Sequence, residues 1–211
     1  MKNRFKLVHT LLVAGVVVAF ASLTPVAQGA LSAANQQRLA SASSADVATI
    51  AASLISAATP AQREQLAKDI AAWVVVARPG QASQTIAGVC QLVSGSAPGI
   101  VAAAAAANPA KAAAVVYAVS AILKTQAPAI AAAAAQAVGT TNSTIVLAIA
   151  KAAATAAPLQ ADAIKTQLGA ISPTLATQIN EQVAAGVLAA SQPANNNVQG
   201  GNVLDNSTSG S

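Results

Sequence analysis

The residues able to do chemistry in this 211-residue chain are few and widely spaced. There is one histidine, His9, and one cysteine, Cys90, and the carboxylates are Asp46, Glu64, Asp69, Asp162, Glu181 and Asp205. Histidine is the usual general base at neutral pH and the partner in Ser-His-Asp and Cys-His pairs. His9 lies in an N-terminal segment read below as removable, so the mature chain has none. One cysteine and scattered carboxylates do not make a zinc site. No Ser-x-x-Lys occurs, and no glycine-rich phosphate cradle follows a strand. Glu64 and Asp69, five residues apart, fall on different azimuths of a helix, so the acids read as solvated surface charge. The sequence predicts a protein that is not an enzyme and has no catalytic, metal or cofactor site.

The remaining candidates concern contact with a partner. Cys90 sits in the apolar frame Ile86, Val89, Cys90, Val93 and reads as a small buried hydrophobe, with an intermolecular disulfide as the alternative in an oxidising compartment. Trp73 shares its helical spacing with Leu66 and Ile70 and reads as core. Tyr117 faces away from Val115, Val119 and Ile122, which makes it a surface candidate. Between Ile70 and Ala161 no acid occurs, while Arg78, Lys111, Lys124 and Lys151 do. Tyr117, Lys111, Lys124 and Lys151 form the expected partner surface, although Lys124, in a last helical turn, is also explained by the helix dipole.

The elements that position these residues begin with an address. Lys2, Arg4 and Lys6 precede a run from Leu7 to Leu23 that is mostly apolar, Pro25 breaks it, and Ala27-Gln28-Gly29 offers small residues to a signal peptidase. This pattern predicts a secretory signal peptide over 1–29, cleaved after Gly29 or Ala30. An uncleaved anchor is the competing reading, because the run approaches bilayer length. The formal charge is +5, but beyond residue 29 eight cations face six acids, leaving +2. That balance and the export signal argue against nucleic-acid binding, which needs a denser basic stripe. Localisation is expected to be periplasmic or extracellular.

Alanine makes up over a quarter of the chain and is spread along a repeat. Ala-Pro recurs at Ala97-Pro98, Ala127-Pro128 and Ala157-Pro158, and Pro79 and Pro109 have the same thirty-residue spacing. On that period Ile100 aligns with Ile130, Ile86 with Val116 and Val146, Val89 with Val119 and Ile149, and Leu92 with Ile122. Such apolar agreement is the mark of an internal repeat. Helices are expected over 31–42, 45–58, 60–77, 82–95, 98–107, 109–125, 128–138, 143–156, 158–169 and 173–190. Thr59-Pro60-Ala61-Gln62 reads as a capping box with proline at the first helical position, and Asn108-Pro109 and Ser172-Pro173 repeat the cap-then-proline order. Asn142 reads as a helix cap rather than a glycosylation site. The helices over Ala102–Ala107 and Ala131–Ala135 have no polar side and are expected to be inner members of the stack.

The expected fold is all-α: stacked antiparallel helical hairpins in an alanine-rich repeat or bundle with a period of about 30 residues, spanning 30–190. From Ser191 the composition becomes polar and reads as a flexible tail over 191–211, with Val203 and Leu204 as its one possible docking element. Stacked hairpins offer an extended surface, so the function expected is that of an exported noncatalytic scaffold or protein-binding module for a protein or envelope component. The alternatives are envelope association through apolar helices or an uncleaved anchor, and ice binding through Thr144, Thr155, Thr166 and Thr177, spaced by eleven.

Overall fold

A computed structural model describes residues 31–192, and the expected signal segment and the tail beyond 192 lie outside the described residues. The described chain is all-α: α1 (Ala33–Ser41), α2 (Val47–Ala57), α3 (Pro60–Ala77), α4 (Ala82–Leu92), α5 (Ala97–Ala107), α6 (Ala112–Ile122), α7 (Ala127–Val138), α8 (Ser143–Ala156), α9 (Ala161–Ile171) and α10 (Ala176–Ser191). The helices form two layers. The even helices α2, α4, α6, α8 and α10 stack on one another, and α3, α5, α7 and α9 stack behind them. At the α4–α5 and α8–α9 junctions the chain bends by 118° and 119°, so these hairpins are open rather than closed.

The repeat is finer than the Ala-Pro spacing shows, because α4, α5, α6 and α7 begin at Ala82, Ala97, Ala112 and Ala127, one every fifteen residues. Each of those alanines is at most 1% exposed. The same interval links Val74, Val89, Ala104, Val119, Ala134, Ile149, Ile164 and Ile179, all of them at most 1% exposed. Fifteen residues make one helix and its turn, and successive helices fall in opposite layers. The thirty-residue period is therefore two such units, one from each layer. Buried alanine contributes little area, so the branched residues supply most of the apolar burial, while alanine lets helix backbones approach.

The turns explain how differing sequences repeat one geometry. Ser94–Ser96, Pro109–Lys111, Lys124–Gln126, Pro158–Gln160 and Pro173–Leu175 each form a single 3₁₀ turn leading into the next helix. In each, the last residue's N–H donates to the carbonyl of the residue preceding the turn, as in Ser96 to Val93 and Leu175 to Ser172. Because the backbone satisfies itself, no capping side chain is needed. Three expected helix starts shift for this reason: Pro109, Pro158 and Pro173 open 3₁₀ turns, and the α-helices begin three residues later.

The expected caps are reassigned. Thr59 precedes Pro60 at the start of α3, but its hydroxyl donates to Gln62 Oε1 at 2.9 Å instead of accepting a backbone N–H, so no capping box forms. Asn108 Nδ2 donates to the Val75 carbonyl at 3.1 Å, tying the α5–α6 junction to the end of α3. Asn142 Nδ2 donates to the Val138 carbonyl at 2.6 Å and so caps the end of α7 rather than the start of α8. Beside it Gly139 has φ +83°, a conformation that side chains with a Cβ rarely adopt.

The two polyalanine helices are not interior. Ala104 and Ala105 of α5 and Ala131, Ala134 and Ala135 of α7 are buried, but Ala106 and Ala107 are exposed and Ala102, Ala103, Ala132 and Ala133 half-buried. A two-layer stack has no inner layer, and every helix turns one side to solvent. Alanine tolerates that position because it exposes little apolar area and keeps high helix propensity. Trp73 is half-buried at the edge of the core rather than within it.

Candidate binding surface

Among the described residues, the even layer carries a concavity. A shallow groove of about 570 Å³ runs between α6 and α8, with Ser83 of α4 at its margin. Ala113, Ala114 and Ala118 of α6 and Ala148 and Ala152 of α8 form much of its lining, and Tyr117, Lys151 and Thr155 complete it. The groove follows from residue size. Alanine side chains leave a furrow between two helices, and the larger side chains of Tyr117 and Lys151 rise beside it.

Tyr117 is 48% exposed, as its helical phase predicts, because Val115, Val116 and Val119 take the buried side of α6. Lys151 projects from α8 one residue after buried Ala150 and is exposed. Among the described residues the ion pairs are Lys68–Glu64 and Lys165–Asp162, so Lys151 has no carboxylate partner. The Thr155 hydroxyl donates to the Lys151 carbonyl at 2.8 Å, a local bond within α8 that uses its proton and leaves the oxygen as an acceptor. The surface thus offers one aromatic face, one ammonium group and a strip of methyl groups.

Of the four residues expected on a partner surface, the fold brings Tyr117 and Lys151 into one groove. Lys111 and Lys124 are exposed in the turns at opposite ends of α6, outside the lining. The alanines of the lining carry no sequence signal of their own, since α5 and α7 are equally rich in them. The other cations of the basic stretch and its flank have structural work. Arg78 donates to the carbonyls of Ala40 at 2.6 Å and Ala42 at 2.9 Å, capping the end of α1. Arg63 donates to the Ala58 carbonyl at 3.1 Å and caps α2 in the same way. Both neutralise the negative end of a helix.

Glu64 meets Lys68 at 2.6 Å, as their spacing of four predicts. The Lys68 ammonium beside it, with the Ser96 hydroxyl, holds the Glu64 carboxyl below its ordinary value. Cys90 is fully buried, and burial pushes its thiol up to about 12, so at neutral pH it is a protonated core residue. Its next four counterparts at fifteen-residue intervals, Ala105, Ser120, Ala135 and Ala150, are all small and buried. No group of three or more metal-ligating side chains converges among the described residues.

The threonines spaced by eleven do not share a face. Thr144 and Thr155 lie on α8, Thr166 on α9 and Thr177 on α10, and the chain bends by 119° between α8 and the segment containing α9. Among the described residues no single helix is long and apolar enough to cross a membrane, although the α4–α5 and α8–α9 pairs would pass on length and composition together. The chain matches no protein-family model, no curated protein and no solved structure.

Proposed function

We propose that this chain is an exported, noncatalytic helical-repeat protein that serves as a scaffold or protein-binding module in the periplasm, envelope or extracellular space. The observation that carries the reading is the groove between α6 and α8, where exposed Tyr117 and Lys151, the latter with no carboxylate partner among the described residues, flank a methyl-lined floor. A tyrosine supplies rigid contact area at low entropic cost and is enriched at protein interfaces. A stack of short helices presents such a face without a deep pocket. The small residues of the floor admit a partner's side chains or backbone closely, and Lys151 favours a carboxylate next to them.

Site-specific photocrosslinking in the producing cells tests this. A photoreactive side chain at Ala114 is expected to give a discrete adduct in the exported fraction, weakened by Tyr117→Ala together with Lys151→Glu. The same probe at Thr166 on α9 is expected to give none. Equal adducts at both positions, or none at Ala114, would overturn the assignment of the surface. Release of the chain by osmotic shock or salt supports the exported state, whereas extraction by detergent alone points to an envelope protein held by its apolar helices.

A further inference from the structure

We propose that the Asp69 carboxylate is the receptor for the α-ammonium group that export processing creates at the start of the mature chain. The inference rests on the export reading above. Leu31, just past the expected processing site, is 7% exposed and belongs to the hydrophobic core. Its N–H donates to Asp69 Oδ2 at 3.2 Å, across 38 residues of sequence. Its carbonyl accepts from Gln36 Nε2 at 3.0 Å, and Asp69 Oδ1 accepts from Gln65 Nε2 at 2.8 Å. Both backbone polar groups of Leu31 are therefore held by side chains, and the acid that holds the nitrogen is oriented from behind.

A carboxylate is a stronger acceptor than a main-chain N–H requires. Asp69 has no cationic partner among the described residues, where the ion pairs are Lys68–Glu64 and Lys165–Asp162. Processing supplies one. When water adds to the carbonyl carbon of Gly29 or Ala30 in the signal peptidase, the amide C–N bond breaks. The released segment keeps the carboxylate, and the freed nitrogen of Ala30 or Leu31 takes up protons to become an ammonium. A cut after Ala30 forms that group on the Leu31 nitrogen itself, and the neutral hydrogen bond to Asp69 becomes a charge-assisted one, whereas a cut after Gly29 forms it one residue earlier in the chain. Asp69 then anchors the mature N-terminus to α3, and the anchored Leu31 closes the core beneath α1.

The test compares the processed chain with a chain carrying a short Gly-Ser extension before Ala30, which moves the charge away. N-terminal sequencing of the exported protein is expected to begin at Ala30 or Leu31. Asp69→Asn is expected to lower the folding equilibrium constant about threefold more in the processed chain than in the extended one, the scale of an exposed ion pair. A second measurement needs no substitution. At about pH 6–7, where the α-amino group is charged and carboxyls are ionised, the processed chain should be the more stable of the two, and the difference should disappear as alkali deprotonates the α-amino group. An Asp69→Asn effect equal in both chains, a pH-independent difference, or a mature start elsewhere would overturn the inference. An exported chain cut elsewhere leaves the export reading standing, whereas an uncut chain inside the cell removes both.

Discussion

Among the described glycines, Gly186 is the one where an added side chain would meet the backbone of a neighbouring helix. A Cβ placed there would lie 2.5 Å from the Lys151 carbonyl oxygen, 2.9 Å from Ala154 Cβ and 3.0 Å from the Thr155 nitrogen. Two of these are backbone atoms of α8, which no side-chain rotation can remove. An ordinary carbon–oxygen contact is about 3.3 Å, so α10 would have to retreat from α8 by about 0.8 Å. A gap of that size forfeits a quarter to a half of the dispersion energy along the contact and opens space beside buried Ile179 and Val183. In an unobstructed helix interior, glycine to alanine is stabilising by up to about 1 kcal/mol. Overpacking costs about 1–3 kcal/mol, and against helix backbone the upper part of that range applies. The two terms leave Gly186→Ala destabilised by about 1–2 kcal/mol, a fall in Tm of about 3–6 °C for a domain of this size. Gly88 in α4 and Gly169 in α9 are internal controls, since a Cβ at either meets nothing within 4 Å. Gly88→Ala and Gly169→Ala should each be neutral to stabilising. Thermal and urea unfolding of the three variants reads this directly. A Gly186→Ala protein as stable as the parent would refute the close α8–α10 approach.

Two further outcomes follow from the core and the surface. The hydroxyls of Thr85 and Ser120 are buried without a hydrogen-bond partner, while their fifteen-residue counterparts include Ile100 and Val115 for Thr85, and Ala105 and Ala135 for Ser120. Ser120→Ala and Thr85→Val should each gain about 1 kcal/mol, seen as a higher urea midpoint with an unchanged slope, because an unpaired buried hydroxyl is removed at nearly constant volume. On the surface, the lowered Glu64 carboxyl contributes stability that is fully present above the unfolded value of 4.5 and is lost as pH falls through its folded value. The parent should therefore exceed Glu64→Gln in Tm at pH 7, with the difference closing under acid; a difference that persists at pH 2 would contradict the ion-pair cause.

The ten helices were legible because alanine and proline act locally. Alanine favours helix wherever it falls, a proline ends one helix or opens the next turn, and α3 and α8 occupy the ranges their patterns predict. The short-range Glu64–Lys68 pair and the exposure of Tyr117 follow from the same helical periodicity. The misplaced caps share one cause. Thr59, Asn108 and Asn142 each have an acceptor or donor to satisfy, but whether it bonds to the next helix, the previous helix or a neighbour depends on what the fold brings near.

What the sequence determined by itself is the helical class, the helix boundaries to within a few residues and the apolar repeat, all of which depend on contacts within about four residues. The tertiary structure decided which helices share a layer, that both polyalanine helices face solvent, and that Tyr117 and Lys151 meet while Lys111 and Lys124 stay apart. It also decided that Gly186 must be glycine. Alanine's uniformity is the physical reason: a methyl group packs against almost any neighbour, so the sequence specifies that a helix packs, while the choice of neighbour is made by the stack as a whole.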